Sequence, residues 1–165
     1  WLDCANFFNI EYFHTVDADD PFFDGQEMID SIKLLNEKNI DIVFPSKSSS
    51  SGGASVGYSL TTKIIEKALK GVDVNTDTEM MWYFIEKVKG VNKETLTDRY
   101  HNAPKARLTL DYEEDYWLLS SLATILGNDC NRNDINNFLE KNPDFFKINF
   151  FRNEEWKNAQ IRKIK

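Results

Sequence analysis

The folds that this chain can adopt are limited by two short segments rich in β-branched and aromatic residues. An amphipathic helical pattern separates these two segments. Ile10–Val16 reads IEYFHTV and Ile40–Pro45 reads IDIVFP, and both are typical of strands. Between them, Gln26–Lys38 places apolar residues at the spacing of one helix face. Strands that alternate with helices predict an α/β domain with a mostly parallel sheet flanked by helices. In such a sheet, ligands bind outside the carboxyl ends of the strands.

The rest of the sequence continues this alternation without an internal repeat. Further extended segments are predicted at Ala54–Leu60, Lys105–Leu110 and Lys147–Phe151. Further helices are predicted over Thr61–Lys70, after the capping-box pattern of residues 76–79, from Asp111 to Leu126 and over Asn133–Lys141. We therefore assign residues 1–151 to one α/β domain and residues 152–165 to a charged C-terminal tail.

Composition narrows the possible partners. The 165 residues suit a single domain, which typically has about 100–200 residues. The net charge of −7 disfavours nucleic-acid binding because an acidic protein repels phosphate backbones. No apolar run approaches the roughly 20 residues that span a bilayer, so no membrane segment is predicted. Cys4 and Cys130 match no metal-site spacing, and we expect two free thiols and a cytoplasmic location.

The first predicted strand ends in a turn that carries four carboxylates. Asp17, Asp19, Asp20 and Asp24 fall within eight residues, and like charges this close repel unless a cation or donors compensate. Mg²⁺ takes oxygen ligands, commonly one or two carboxylates together with substrate phosphates. A strand-end Asp-x-Asp can supply such ligands. The alternative is a solvated turn in which Asp24 caps the following helix.

A second acidic segment follows the strand predicted at Lys105–Leu110. Residues 111–115 read DYEED, and Asp111 could complete a metal site begun by Asp19 if both strands belong to one sheet. The alternative assigns Asp111 the role of helix N-cap, with Glu114 reaching back three residues later. Acids in a first turn also suit the helix dipole.

A Ser- and Gly-rich loop precedes residue 58. Its glycines could let the backbone approach a ligand closely, and Gly53, Ser55 and Tyr58 are the candidates for substrate contact. The alternative is a flexible connector. No Gly-Lys-Ser/Thr follows, so the loop is not a Walker A phosphate loop. No Ser/His/Asp or Cys/His arrangement indicates a hydrolase.

Taken together, these motifs resemble the sugar-acid cytidylyltransferases. That family includes the acylneuraminate and 3-deoxy-manno-octulosonate cytidylyltransferases and the SpsF-like spore-coat polysaccharide proteins. Residues 16–22 (VDADDPF), followed by a helix and an apolar strand, are similar to its Asp-Asp/Glu-Pro turn. Residues 107–115 (RLTLDYEED) fit its Arg-x-Thr-x-Asp-x-x-x-Asp pattern. The resemblance implies a nucleotide-diphospho-sugar transferase fold of the Rossmann-like kind and a homodimer.

The resemblance also implies a reaction and residue roles. A sugar-acid hydroxyl would attack the α-phosphorus of CTP, pyrophosphate would leave, and Mg²⁺ would be the cofactor. The implied roles are metal binding and catalysis for Asp19 and Asp111, support of the cofactor or acceptor for Asp17 and Asp20, and substrate binding for Gly53, Ser55, Tyr58 and Arg107.

One family feature has no counterpart in the chain. The Gly- and Arg-rich cytidine-triphosphate loop that ends in Pro-x-Lys is expected upstream of Trp1, which suggests an N-terminally truncated enzyme or a paralogue without catalysis. Two other functions stay open. Glycosyltransferases of the related fold hold a metal with a strand-end Asp-x-Asp, which Asp17-Ala18-Asp19 matches. A non-catalytic module that binds a sugar or a protein is the other alternative.

Overall fold

The structure, a computed structural model, has a mixed α/β architecture. It describes residues 1–37, 39–47, 57–100 and 106–163. The strands are β1 (Tyr12–His14), β2 (Ile42–Phe44), β3 (Ser59–Thr61) and β4 (Lys93–Thr95). The helices are α1 (Leu2–Phe7), α2 (Gly25–Glu37), α3 (Thr62–Leu69), α4 (Met81–Ile85), α5 (Glu113–Leu126), α6 (Arg132–Lys141) and α7 (Arg152–Lys163), with a 3₁₀ helix at Pro143–Ile148.

The four-stranded sheet is mixed, so the prediction of a mostly parallel sheet is wrong. The strand order is β1-β3-β2-β4. β3 runs antiparallel to both β1 and β2, and only β2 and β4 pair in parallel. A parallel pair needs a long crossover connection, commonly a helix, whereas an antiparallel pair does not. The Ser/Gly-rich sequence between β2 and β3 has no helical pattern, which agrees with their antiparallel pairing.

Apolar side chains of the described residues form three separate clusters. One cluster packs α3 and α4 against the sheet, and its buried members are Ile42, Leu60, Ile64, Ile65, Ala68, Met81 and Ile85. Another joins α5 and α6, and its buried members are Ala106, Leu108, Leu118, Leu119, Leu122, Ile135 and Leu139. A smaller cluster holds α2 to β2 through Leu35, Ile40 and Val43.

The strand predicted at Lys105–Leu110 is absent from the described part of that segment. Residues 106–109 are all buried, whereas a half-buried strand would expose every second side chain. The backbone bonds elsewhere: the Arg107 carbonyl accepts from Asn149 Nδ2 at 2.7 Å, and the Leu110 N–H donates to the Asp19 carbonyl at 2.8 Å. These bonds replace those of a sheet ladder and leave the segment buried between the acidic turn and α5.

The C-terminal region is helical where a strand was predicted. The expected strand at Lys147–Phe151 is wrong, because the chain forms the 3₁₀ helix over Pro143–Ile148 and then α7. Proline at the start suits a helical turn because its missing N–H is not needed there. The predicted tail therefore contributes a helix, α7, to the fold as far as Lys163.

Two findings concern thiols and membranes. Cys4 and Cys130 are both free, as expected. Among the residues that the structure describes, no helix combines the length and apolarity needed to cross a bilayer.

Candidate active site

The two acidic segments meet through one backbone hydrogen bond. The N–H of Leu110 donates to the carbonyl oxygen of Asp19 over 2.8 Å. This bond ties the turn after β1 to the segment before α5 and places Asp19 beside Asp111. The predicted pairing of two acids from distant parts of the chain therefore occurs, although the segment before Asp111 does not belong to the sheet.

A buried hydroxyl lies between the two carboxylates. Thr109 Oγ1 is 3.4 Å from Asp19 Oδ2 and 3.4 Å from Asp111 Oδ2. A hydroxyl has a single proton, so Thr109 can donate to only one of these oxygens at a time. The pair therefore keeps acceptor capacity that a cation or a further donor could use.

Asp17 and Asp20 of the same turn differ in position. Asp17 lines the cleft together with Asp19 and Asp111. Asp20 is 1% exposed and is not among the residues that line the cleft; its N–H donates to the Asp17 carbonyl at 3.1 Å. Asp24 accepts from the N–H of Gln26 at 2.9 Å, at the start of α2. The turn thus has features of both interpretations of the sequence. Asp17 and Asp19 line the cleft, as a cation-binding turn requires, and Asp24 lies at the start of α2, as a helix cap does.

The local field disfavours further negative charge at this site. Burial and then the neighbouring Asp19 raise the pKa of Asp17. Burial also raises the pKa of Asp111; Asp19 and Asp115 add to this, and the Arg107 guanidinium opposes it. A bound cation would relieve the repulsion.

The donor set fits magnesium better than a softer metal. Asp19 and Asp111 offer carboxylate oxygens, and magnesium commonly uses one or two carboxylates and completes its shell with water and phosphate oxygens. No group of three or more His, Cys, Asp or Glu side chains in the described ranges is arranged to hold a metal alone. A cation here would therefore depend on ligands supplied by a substrate.

A cleft of about 670 Å³ opens beside these acids. This volume is within the range of ordinary small-molecule sites, roughly 300–1,000 Å³. One wall is largely aromatic and apolar and comes from the sheet and the α4 region; it includes Phe44, Tyr58, Met80, Met81 and Trp82. Part of α7 forms another wall with Trp156, Lys157, Gln160 and Ile161.

Tyr58 is the member of the predicted substrate-binding loop that the described residues place in the cleft. Its N–H donates to Thr15 Oγ1 at 2.9 Å, and its carbonyl accepts from the Thr15 N–H at 2.9 Å. Burial, and then the charges of Asp17 and Glu86, raise the pKa of Tyr58 to about 12. Its phenol therefore stays protonated and can donate a hydrogen bond. Gly53 and Ser55 lie outside the described residues.

Arg107 is fully buried and is not among the residues that line the cleft. Its Nε lies 3.0 and 3.1 Å from the two carboxylate oxygens of Asp115, and its Nη2 donates to Asp111 Oδ2. Its assignment as a substrate-binding residue stays a prediction.

Asp111 itself is not the N-cap of α5. The helix begins at Glu113, and Tyr112 occupies the N-cap position. Asp115, rather than the predicted Glu114, reaches back: its Oδ2 accepts from the N–H groups of Asp111 and Tyr112, each at 3.0 Å. Glu114 instead binds Arg152 of α7 through two contacts of 2.8 and 3.1 Å. The Asp111 carboxylate is therefore free of a capping role.

Sequence reasoning did not single out the residues of the cleft wall on α7 or the hydroxyl of Thr109. Thr109 is part of the motif RLTLDYEED, two residues before Asp111, and this spacing was the signal that the sequence offered. Trp156 stands in a charged segment, where a lone aromatic residue could have suggested a contact with the rest of the fold. Nothing in the sequence indicated that α7 would line the same cleft as Asp17, Asp19 and Asp111.

The fold is similar to that of a solved cytidylyltransferase from Leptospira borgpetersenii serovar Hardjo-bovis (strain JB197), with a TM-score of 0.73. The two chains are 22% identical, and the match covers 88% of this chain and 62% of that chain. The present chain thus spans less than two thirds of the length of its structural neighbour. No family model and no curated protein matches the sequence. The likeness defines a cytidylyltransferase-like mixed α/β fold, with a four-stranded sheet flanked by helices.

Proposed function

We propose that this chain forms the metal- and acceptor-binding part of a Mg²⁺-dependent cytidylyltransferase that activates a sugar acid with CTP. The observation that carries the proposal is the convergence of Asp19 and Asp111 on Thr109 in the wall of a ligand-sized cleft. The fold likeness to a cytidylyltransferase supports the same reaction class. The product would be a CMP-sugar, of the kind used to build surface polysaccharides.

Each part of the cleft has a role in this proposal. Asp19 and Asp111 would hold magnesium, which when bound neutralises charge on the nucleotide phosphates and orients the reactants. Asp17 would face the acceptor side, and the Tyr58 phenol would donate a hydrogen bond to a ligand oxygen. Lys157 contributes a cation to the α7 wall, which suits an acceptor that carries a carboxylate.

Binding of Mn²⁺ as a magnetic probe tests the metal assignment. Asp19→Asn and Asp111→Asn should each weaken Mn²⁺ binding by at least about tenfold, because each removes a charged ligand. Asp144→Asn is the matched control, since its side chain is 82% exposed, pairs with Lys147 and is not among the residues that line the cleft. Wild-type affinity in either cleft variant, with an intact circular dichroism spectrum, would remove the metal site from the proposal.

Product analysis on the complete natural gene product tests the reaction. With CTP, Mg²⁺ and a panel of sugar acids, pyrophosphate release is expected, and both cleft variants should abolish it. Because Asp17 and Asp19 both line the cleft, an Asp-x-Asp glycosyltransferase is the second candidate, and it would release a nucleoside diphosphate from a nucleotide sugar. A complete protein that binds neither nucleotide nor metal would instead be a non-catalytic binding module.

We also propose that the protein works in the cytoplasm as a homodimer, as the resemblance implies. Light scattering on the purified protein tests the dimer, and fractionation of the source cells tests the location.

A further inference from the structure

The Asp115 carboxylate is a fully buried acceptor for groups from three parts of the chain. Both of its oxygens contact Arg107 Nε, and Oδ1 accepts from Asn149 Nδ2 at 2.9 Å. Its Oδ2 accepts from the backbone N–H groups of Asp111 and Tyr112. One side chain therefore fixes the backbone at Asp111 and the guanidinium that contacts the Asp111 side chain.

Arg107 connects this buried carboxylate to the cleft. Its Nε contacts Asp115 and its Nη2 donates to Asp111 Oδ2, so the planar guanidinium spans the two acids. Its carbon lies 5.2 Å from the ring centroid of Tyr112 and 5.7 Å from that of Trp156, within cation–π range. These rings pack beside a guanidinium that is itself inaccessible to solvent.

Asn149 completes the arrangement from the C-terminal side. Its Nδ2 donates to the Arg107 carbonyl at 2.7 Å as well as to Asp115. Asn149 is fully buried and follows the 3₁₀ helix directly. The side chain and the backbone of Arg107 are thus both held by buried groups, so neither can move without breaking hydrogen bonds in a low-dielectric environment.

We propose that Arg107, Asp115 and Asn149 form a positioning network that fixes the Asp111 carboxylate for cation binding. The inference rests on the proposed function of Asp111 as a metal ligand. It gives Arg107 a positioning role in place of the substrate contact implied by the family resemblance. Groups that hydrogen-bond to a metal-binding side chain, without contacting the metal themselves, commonly affect metal affinity by about 10–100-fold.

Arg107→Lys is the decisive variant because it keeps the positive charge and loses the planar, two-sided donor geometry. A lysine amine is a compact point charge and does not reproduce the guanidinium's fixed span between Asp115 and Asp111. Positioning predicts that Mn²⁺ affinity falls by at least about tenfold. A purely electrostatic role predicts no fall, since the net charge beside Asp111 is unchanged.

Arg132→Lys is the matched control. Arg132 is 9% exposed and lies in a separate polar cluster with Glu27 and Tyr100, away from the described cleft. This variant should lose stability as a buried Arg→Lys change does, yet it should keep the wild-type Mn²⁺ affinity. A similar loss of affinity in both variants would show a general structural effect and overturn the proposal.

Amide hydrogen exchange, measured without metal, separates this proposal from the proposed function. Exchange at the Asp111 and Tyr112 N–H groups should accelerate at least about tenfold in Arg107→Lys, beyond any change in global stability, and not in Arg132→Lys. Unchanged exchange overturns the network, and so does faster exchange with unchanged Mn²⁺ affinity. If the wild-type protein binds no Mn²⁺, the proposed metal function fails and Asp111 is not positioned for a cation. In that case, the exchange rates still show whether Arg107 holds the backbone at Asp111.

Discussion

The carbonyl oxygen of Asp19 accepts a hydrogen bond of 2.8 Å from the backbone N–H of Leu110. Asp19 lies in the acidic turn after β1 and Leu110 directly precedes the acidic segment 111–115, so this bond brings together two acidic segments that lie far apart in the sequence. Thr109, next to Leu110, then reaches both carboxylates with its hydroxyl.

Replacing Thr109 tests the importance of that hydroxyl. Thr109 is 2% exposed, so Thr109→Val keeps the shape but removes the donor between Asp19 and Asp111. We expect a loss of about 1 kcal/mol in the free energy of unfolding and weaker Mn²⁺ binding. Thr109→Ser keeps the hydroxyl and should retain Mn²⁺ affinity. Urea unfolding and Mn²⁺ titration measure the two effects, and equal affinities in both variants would contradict the prediction.

The close approach of Gly57 to Thr15 should make an added methyl group costly. Gly57 has φ of +79°, and a Cβ there would stand 1.9 Å from the Thr15 carbonyl oxygen. Gly57→Ala therefore combines the left-handed cost of about 1–2 kcal/mol with a steric clash. Gly90→Ala is the control, since Gly90 has φ of +71° with nothing within 4 Å. Thermal unfolding should show a clearly larger loss for Gly57→Ala, and equal losses would refute the close contact.

The attachment of α7 should depend on Arg152. Its guanidinium makes two contacts with Glu114 of α5, at 2.8 and 3.1 Å, and another with Glu155 at 2.5 Å. Hydrogen bonding to Glu114 and Glu155 raises the pKa of Arg152, so it is charged at any working pH. We expect Arg152→Leu to speed amide exchange across α7, while Arg162→Leu, an exposed change on the same helix, does not. Unchanged exchange in Arg152→Leu would show that apolar packing alone holds the helix.

The buried carboxyl of Glu27 predicts a defined pH dependence of stability. Burial raises the pKa of Glu27 above 4.5, although a hydrogen bond from Ser46 at 2.8 Å opposes the shift. Between the unfolded and the folded pKa, the folded state holds more protons, so this group's contribution to stability falls as pH rises. Below the unfolded pKa the group contributes no penalty.

Glu27→Gln should remove that contribution, since the amide oxygen can still accept from Ser46. The free energy of unfolding of the wild type minus that of the variant should therefore decrease between about pH 4 and pH 7. Urea unfolding at several pH values gives this difference, and Glu140→Gln, at an exposed position on α6, serves as the control. A difference that rises with pH would mean that Arg132 stabilises the Glu27 charge more than burial opposes it.

Local patterns predicted the elements that bury one continuous face. The helices α2, α3 and α6 begin and end within a residue or two of their predicted bounds, because apolar spacing and polar ends are properties of neighbouring residues. The polar strand β4 could not be predicted in this way. Its residues Lys93, Glu94 and Thr95 are all exposed, and only pairing with β2 at the edge of the sheet makes them a strand.

The sequence by itself determined that Asp17 and Asp111 directly follow apolar segments, and it led to the prediction that Asp19 and Asp111 bind a metal. Only the tertiary structure decided that the sheet is mixed, that Arg107 is buried between two acids and that α7 lines the cleft. The physical reason is the sequence separation over which each interaction acts. Helical periodicity and turn chemistry act over a few residues, whereas burial, ion pairing and strand direction depend on which distant segments the folded core brings together.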